Sequence, residues 1–376
     1  MAPGRKINIL IADDSAVMRS LLRTVIGRDE SLEVGGTAAD GGSVLSAAET
    51  LRPDLILLDV EMPVLDGLAT LKKLRARGHK IPVIMCSSFT KRGAKVTIEA
   101  LASGASDYMA KPAGQSGRDA ALQALAQDLL PKIHALVSPS PALPMPPVVP
   151  AAARIPVLLP PPPKAQTILS TPTVLAIGVS TGGPAALDLL LPGLPATFPL
   201  PVLIVQHMPE LFTRLFAERL NGRCPLQVRE AVEDAPVRPG TIHIAKGNWH
   251  MEVRAAPRAG LPPTLHLNQG PLENHCRPAV DVLFRSVAAV YGGGTLAVVL
   301  TGMGSDGTLG CRTIRDQGGS VLAQDQTTSA VWGMPGSVVS AGLAHKVLPL
   351  NAIAPEILRL ASRSGTEIRR LREAVV

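Results

Sequence analysis

TVLAIGVSTGGPAAL, residues 173–187, contains in order an unbroken aliphatic run, a glycine turn and a segment with helical spacing. Such an aliphatic run is typical of a strand buried on both faces, as in parallel sheets covered by helices. Three interpretations fit the turn: a phosphate-binding loop, a serine nucleophile within G178-V-S180-T-G182, or a connection without chemistry. In the third interpretation, Ser180 or Thr181 is simply the N-cap of the helix.

The phosphate-loop interpretation fails on composition. Such a loop needs Lys followed by Ser or Thr after its last glycine, whereas Gly183 is followed by Pro184 and two alanines. The dinucleotide pattern G-x-G-x-x-G is also absent. Pro184 suits a first helical turn, so Ser180 is predicted to lie just before a helix N-terminus.

The composition of the whole chain favours two aliphatic α/β domains. Its 376 residues are enough for two cores, and its residues are 46% hydrophobic but only 2% aromatic. The net charge of +7 is spread along the chain. With no basic stripe and few aromatic side chains for base stacking, we expect no nucleic-acid partner.

The cysteines and the hydropathy indicate a cytoplasmic location. We find no signal peptide and no apolar run long enough to span a bilayer, so we expect no membrane insertion. The cysteines lack paired metal-ligand spacing and are expected to be reduced thiols, mostly buried. They are Cys86, Cys224, Cys276 and Cys311.

A proline-rich segment divides the chain. Eleven of the 35 prolines fall within residues 138–164, a composition that favours extended polyproline conformation over helix or sheet. We therefore predict a domain at residues 1–137, a linker at 138–164 and a second domain at 165–376. In both domains aliphatic strands alternate with helical segments, which predicts the α/β class with two doubly wound parallel sheets.

Polar side chains follow the strands of the first domain. Asp13 and Asp14 end the first strand, Asp59 ends a middle strand, Ser87 ends the next, and Lys111 precedes a proline. Ligand sites of parallel sheets gather at the carboxyl ends of the strands. Carboxylates there suit Mg²⁺, while an Asp beside the metal can attack a phosphoryl group and a hydroxyl and an ammonium neutralise its oxygens.

Two further residues in the second domain are candidates to assist Ser180. His207, in IVQHMP, ends the next strand, and Asp306, in LTGMGSDG, follows a later one. At one sheet edge they complete a Ser, His and Asp triad, with His207 as the base and Asp306 orienting it. The chain order Ser, His, Asp differs from that of α/β-hydrolases, so this would be a separate origin of the triad.

The first domain resembles the receiver domain of response regulators over residues 6 to about 125, through the strand-end acids, MPVLDG and the Lys-Pro pair. The resemblance implies a flavodoxin-like fold, Asp59 as phospho-acceptor and a sensor histidine kinase as phosphodonor. It implies Mg²⁺ ligands and switch residues as well. The metal ligands would be Asp13, Asp14 and Asp59, and the switch residues Ser87, Tyr108 and Lys111.

The whole chain resembles the CheB family of protein-glutamate methylesterases and protein-glutamine deamidases. The stretches that carry this resemblance are GVSTGGP, QHMPELFTRLFAERLN, A245-K-G, RPAVDVLFRS, LTGMGSDG and AQDQTTSAVWGMP. The resemblance implies a Rossmann-like catalytic domain with Ser180, His207 and Asp306 as its triad. It also implies that Met303 supplies an oxyanion N–H and that Thr181 lines the site.

The implied reaction is hydrolysis of glutamate methyl esters on chemoreceptors, releasing methanol without a cofactor; some members also hydrolyse glutamine side chains. A receiver joined to a hydrolase further suggests occlusion of the Ser180 cleft until Asp59 is phosphorylated. Two alternatives stay open at this stage. One is the same hydrolase acting on a protein outside chemotaxis, and the other is a response regulator whose output domain binds without catalysis.

Overall fold

The protein is described by a computed structural model, which contains two parallel sheets. The linker predicted at residues 138–164 lies outside the described residues. The structure describes residues 5–88, 90–112, 117–137, 170–256 and 258–373.

The first sheet has five parallel strands in the order β2-β1-β3-β4-β5. Its strands are β1 Ile7–Ala12, β2 Leu32–Ala38, β3 Leu55–Asp59, β4 Val83–Ser87 and β5 Asp107–Ala110. Five helices cover it, and they are α1 Ala16–Ile26, α2 Gly41–Leu51, α3 Gly67–Ala76, α4 Lys91–Ala102 and α5 Arg118–Val137. Four of these helices begin at a side chain that accepts a backbone N–H, the expected N-cap arrangement. The caps of α1 to α4 are Ser15, Asp40, Asp66 and Thr90.

The second sheet has seven parallel strands in the order β14-β13-β12-β6-β7-β9-β8. They are β6 Val174–Val179, β7 Val202–Gln206, β8 Gln227–Glu230, β9 Thr241–Ile244, β12 Thr295–Val299, β13 Ser320–Gln324 and β14 Lys346–Leu348. An antiparallel hairpin of β10 and β11 lies beside it, at His250–Arg254 and Thr264–Asn268. The helices are α6 Gly183–Leu190, α7 Glu210–Asn221, α8 Val280–Tyr291, α9 Thr308–Asp316, α10 Met334–Ser340 and α11 Leu350–Glu373.

The predicted fold class is confirmed, because both sheets are parallel and alternate with helices. The hairpin was not predicted, and its strands mix polar with apolar residues. Strands β12, β6 and β7 are direct neighbours, with Val299 opposite Gly178 and Val179 opposite Gln206. The loops that follow these three strands therefore meet at one edge of the sheet.

The two α/β units pack against each other through apolar side chains. One contiguous buried cluster includes Ile98 and Leu101 of α4 together with Phe212 of α7. The ring of Tyr108 on β5 stacks on Phe212 with 4.6 Å between centroids. The domain boundaries assigned from the sequence, 1–137 and 165–376, stay a prediction. Over the ranges that the structure describes, none of the helices combines the length and hydropathy needed to cross a bilayer.

Candidate active site

Ser180 lies in the turn between β6 and α6, where hydrogen bonds fix its backbone. Its N–H donates to the Thr301 carbonyl at 3.0 Å, and its carbonyl accepts from the Gly183 amide at 2.8 Å. The same carbonyl accepts from Gln206 Nε2 at 3.0 Å. These contacts join the ends of β6, β7 and β12 and hold the Ser180 side chain at their common edge.

Glycines shape this turn. Gly182 has φ of +78°, a left-handed conformation that favours glycine. A Cβ on Gly302 would lie 2.9 Å from Ser180 Cβ, so the loop after β12 approaches the serine only because Gly302 has no side chain. Helix α6 begins after Gly182 without a side-chain cap. The interpretation of Ser180 or Thr181 as an N-cap is therefore wrong.

His207 and Asp306 form a hydrogen-bonded pair beside this turn. His207 directly follows β7, Asp306 lies in the loop after β12, and Nε2 of the ring is 2.8 Å from Asp306 Oδ2. This contact leaves Nδ1 as the ring nitrogen available to a serine. In the part of the chain that the structure describes, no hydrogen bond joins Ser180 Oγ to His207, although both line one cleft.

Asp306 is held by the N-terminus of α8. The amides of Val280 and Asp281 donate to its two oxygens at 2.7 and 3.0 Å, and Gly307 N donates at 2.9 Å. The first turn of a helix offers such unpaired amides to an anion. Burial opposes ionisation, but the hydrogen bond and charge of His207 and the helix amides outweigh burial and keep the pKa of Asp306 below its ordinary value.

The charge of Asp306 in turn affects His207. Burial disfavours the imidazolium, yet the hydrogen bond to Asp306 and the contact with Cys276 outweigh burial and raise the pKa of His207 to about 9. His207 therefore holds a proton firmly at neutral pH and loses it in mildly alkaline solution. Only His207 that has lost this proton can act as a general base, so its basic form becomes more abundant as the pH rises toward 9.

Sequence reasoning missed Asn274 and Asp281, which surround the pair. Asn274 Nδ2 donates to Asp306 Oδ1 at 2.8 Å and to Asp281 Oδ2 at 3.0 Å. Burial raises the pKa of Asp281 above its ordinary value. Asn274 has φ of +52°, a conformation that Asn tolerates better than most residues. In the sequence, the only indication of a role for Asn274 was its position shortly before the stretch RPAVDVLFRS.

The cleft around Ser180 has a volume of about 860 Å³ and is lined by both α/β units. The second unit contributes Ser180, Thr181, His207, Cys276 and Met303, and the first contributes Asp107, Tyr108, Gln127, Asp128 and Lys132. Thr181 Oγ1 donates to Asp107 Oδ2 at 2.6 Å across the boundary. Met303 is 38% exposed, and among the described residues its amide has no hydrogen-bond partner.

The first sheet brings its predicted residues together at the ends of β1, β3, β4 and β5. Lys111 Nζ lies 2.8 Å from both Asp13 Oδ2 and Asp59 Oδ2. Ser87 is buried at the end of β4. Tyr108 is buried against Phe212 and away from this edge of acids.

The charges at this edge are strongly coupled. Burial and the neighbouring charge of Asp13 raise the pKa of Asp59 to about 6, although Lys111 acts in the opposite direction. For Lys111 burial disfavours the ammonium, but the two carboxylates outweigh burial and raise its pKa.

Asp13, Asp14 and Asp59 offer carboxylate oxygens that lie within 4.8 Å of one another. Asp14 is exposed whereas the other two are buried, so the cluster faces solvent on one side only. Hard carboxylate oxygens with a solvent side for water ligands fit Mg²⁺.

Two family models match the chain. One, described as CheB methylesterase, covers residues 175–357, and the other, described as response regulator receiver domain, covers residues 9–125. A relative from Nocardioides sp. is 49% identical over 96% of both chains. Another, from Trichodesmium erythraeum, is 45% identical over 94% of this chain and 99% of the relative. Both are named protein-glutamate methylesterase/protein-glutamine glutaminase.

Two crystal structures from Thermotoga maritima also match. The CheB methylesterase catalytic domain is 41% identical and covers 51% of this chain and 100% of that chain, with a TM-score of 0.49. The response regulator domain of CheB is 41% identical and covers 35% of this chain and 95% of that chain, with a TM-score of 0.32.

Proposed function

The chain belongs to the CheB methylesterase family, and we propose that it is a phosphorylation-activated serine hydrolase that demethylates glutamate methyl esters on chemoreceptors. A receiver domain accompanies the methylesterase domain in this chain. We place the reaction in the cytoplasm, with a sensor histidine kinase as phosphodonor. Relatives are named as glutaminases as well, so the proposal extends to hydrolysis of glutamine side chains.

The observation that carries this proposal is the 2.8 Å hydrogen bond between His207 Nε2 and Asp306 Oδ2 beside the Ser180 turn. A buried carboxylate on one ring nitrogen fixes the tautomer and orientation of the imidazole. The other ring nitrogen, Nδ1, is then the base that takes the proton of Ser180. The approach of Ser180 to Nδ1 is completed when substrate binds, since catalytic hydrogen bonds often tighten only in the substrate complex.

The reaction follows from these roles. Ser180 Oγ attacks the ester carbonyl carbon while His207 Nδ1 takes the serine proton. The bond to the methoxy oxygen then breaks, His207 returns the proton, and methanol leaves a glutamyl ester on Ser180. Water, deprotonated by His207, hydrolyses that ester and restores Ser180 with a free glutamate carboxylate. No cofactor takes part in this sequence.

The tetrahedral intermediates carry a negative oxygen that needs hydrogen-bond donors. The Met303 amide is the proposed donor, because Met303 lines the cleft and its amide has no partner among the described residues. Donors held in place before reaction stabilise such an oxyanion, and losing one typically costs ~10²–10³ in turnover.

In the receiver, Asp59 is the proposed phospho-acceptor. Bound by Asp13, Asp14 and Asp59, Mg²⁺ would supply positive charge for the oxygens of the phosphoryl group. Lys111 supplies a second positive charge between Asp13 and Asp59, and Ser87 lies at the adjacent strand end to donate its hydroxyl. Phosphorylation therefore gives Asp59, which contacts Lys111, a larger group with more negative charge.

The cleft shared by both units supports control by occlusion. Residues of β5 and α5 line the same cleft as Ser180 and His207, so we propose that the docked receiver keeps a bulky receptor helix away from Ser180. Phosphorylation at Asp59 would weaken this docking. The direct test is to incubate the chain with a methylated chemoreceptor and measure methanol; absence of methanol with phosphodonor present would refute the proposed function.

The Asp59→Asn variant should lose activation by phosphodonor. Asparagine lacks the nucleophilic carboxylate, so acetyl phosphate should raise methanol release by the natural sequence but not by this variant. The measurement is the ratio of rates with and without acetyl phosphate. Asp54→Asn is the matched control, because Asp54 lies at the opposite end of β3 and pairs with Arg5. Equal activation of Asp59→Asn and the natural sequence would contradict the assignment.

The rate should increase with pH up to about 9, the pKa to which the contacts with Asp306 and Cys276 raise His207 against the effect of burial. The base must be unprotonated to accept the Ser180 proton. Below the pKa, kcat/KM is therefore expected to rise by about tenfold per pH unit and to level off above it. The measurement is kcat/KM for methanol release across neutral and alkaline pH. A profile already flat at neutral pH would show that His207 is not the titrating base.

A further inference from the structure

A short hydrogen bond connects the receiver to the residue next to the serine. Thr181 Oγ1 donates to Asp107 Oδ2 at 2.6 Å, and the two residues are only 6% and 7% exposed. Asp107 begins β5, directly before the stacked Tyr108. Thus a carboxylate of the receiver reaches into the interior of the catalytic cleft.

The backbone of Thr181 is held at the same edge as Ser180. Its main-chain carbonyl accepts from Thr301 Oγ1 at 2.9 Å, and the Ser180 amide donates to the Thr301 carbonyl. The Thr181 hydroxyl therefore lies beside Ser180, in the cleft that both residues line. In the described structure its acceptor is the carboxylate of Asp107.

The hydrogen bonds of Asp107 within the receiver involve only one of its two oxygens. Oδ1 accepts the Tyr108 amide at 2.8 Å, and Lys132, which bonds to Asp128 and to the Tyr108 carbonyl, is close enough for the charge of Asp107 to raise its pKa. Among the described residues, Thr181 is the hydrogen-bond donor to the other oxygen, Oδ2. Apolar packing of α4 and the Tyr108–Phe212 stack already join the two units.

We infer that Asp107 acts as an internal product mimic, occupying on Thr181 the subsite for the γ-carboxyl group of the substrate glutamate. The inference rests on the proposed function, whose product is a side-chain carboxylate one methylene longer than Asp. A hydroxyl can donate to the oxygen of an ester carbonyl, of an amide or of a carboxylate. When the receiver is docked, the carboxylate of Asp107 therefore occupies this subsite, and the receiver also covers the cleft around it.

The test uses the full chain without phosphodonor and compares Asp107→Ala with the double variant Asp107→Ala, Thr181→Val. Two quantities are measured: methanol release from methylated receptor, and binding of N-acetyl-L-glutamate α-amide, a product fragment, by calorimetry. The norvaline analogue, which lacks the carboxylate, is the control ligand. Asp119→Ala is the control variant, because Asp119 is an exposed acid in the first turn of α5 and is not among the residues that line the cleft.

Asp107→Ala should raise the basal rate about tenfold and tighten binding of the fragment about tenfold, since a charged hydrogen bond no longer competes for Thr181. In the double variant, KM for the ester and Kd for the fragment should each rise about tenfold again, with a smaller change in kcat. Valine matches threonine in shape, so only the hydroxyl is lost.

If Asp107 were merely a clamp, Asp107→Ala would raise the rate, but adding Thr181→Val would change neither KM nor fragment binding. That result would overturn the inference. Failure of the proposed function would look different, because no variant would release methanol while fragment binding still reported on the subsite. Phosphorylation of Asp59 by acetyl phosphate shows that the receiver of each variant is folded. Should Asp107→Ala not fold, Asp107→Val, which suits the start of a strand and removes the acceptor oxygens, serves for the same comparison.

Discussion

Replacing Ser180 with alanine should lower kcat for methanol release by ~10⁵-fold or more, because the attacking oxygen is lost and the remaining groups cannot replace it. Ser180 Oγ is not used in any hydrogen bond among the described residues, so its removal should leave the fold intact. The measurement is single-turnover methanol release from methylated receptor, with thermal unfolding recorded in parallel.

Ser340→Ala is the matched control for Ser180→Ala. Ser340 is exposed at the end of α10, so the Ser340→Ala variant should give the natural rate.

The Ser180→Ala result also distinguishes the alternative functions left open by the sequence. A non-catalytic output domain predicts unchanged function in Ser180→Ala, whereas a hydrolase acting on another sensory protein predicts loss of activity on that protein and none on chemoreceptors.

Asp306→Asn should lower kcat by about 10⁴-fold. An amide cannot hold the imidazolium of His207 by charge, and its NH₂ group would face the donating amides of Val280 and Asp281. Without the carboxylate, one of the two contacts that offset burial is lost, so the pKa of His207 should fall below about 9. The pH profile of the residual activity should therefore move to lower pH.

The matched control is Asp316→Asn, at an exposed position at the end of α9. It should retain the natural rate and the natural pH profile. A drop in rate for Asp306→Asn without any movement of the pH profile would contradict the pairing of Asp306 with the titrating base. Loss of folding is tested separately by the thermal unfolding temperature of the two variants.

Much of the candidate site was predictable because strand ends are visible in the sequence. Ser180, His207 and Asp306 each follow an aliphatic run, and parallel neighbours necessarily bring their carboxyl ends to one edge. The structure places Ser180 and His207 in one cleft, and it places Asp306 in hydrogen-bond contact with His207. Their catalytic roles stay a prediction, as do those of Asp59, Lys111 and Ser87 in the receiver.

Other parts of the site depend on loops that carry no periodic signal. Asn274 and Cys276 precede α8, yet packing of α8 on the sheet carries them to His207 and Asp306. Gly302 looked like any turn glycine, but its lack of Cβ permits contact with Ser180. Local propensity does not encode such contacts, because each depends on how two distant segments are packed.

By itself, the sequence determined the α/β class, the parallel strands and the edge at which each chemical group stands, since these follow from local hydrophobic pattern and turn residues. Only the tertiary structure decided how the two units meet. Thr181 and Asp107 are 74 residues apart along the chain and hydrogen-bond across the boundary. That contact depends on apolar packing between two separately formed sheets, and packing between folded surfaces leaves no periodic trace in either segment.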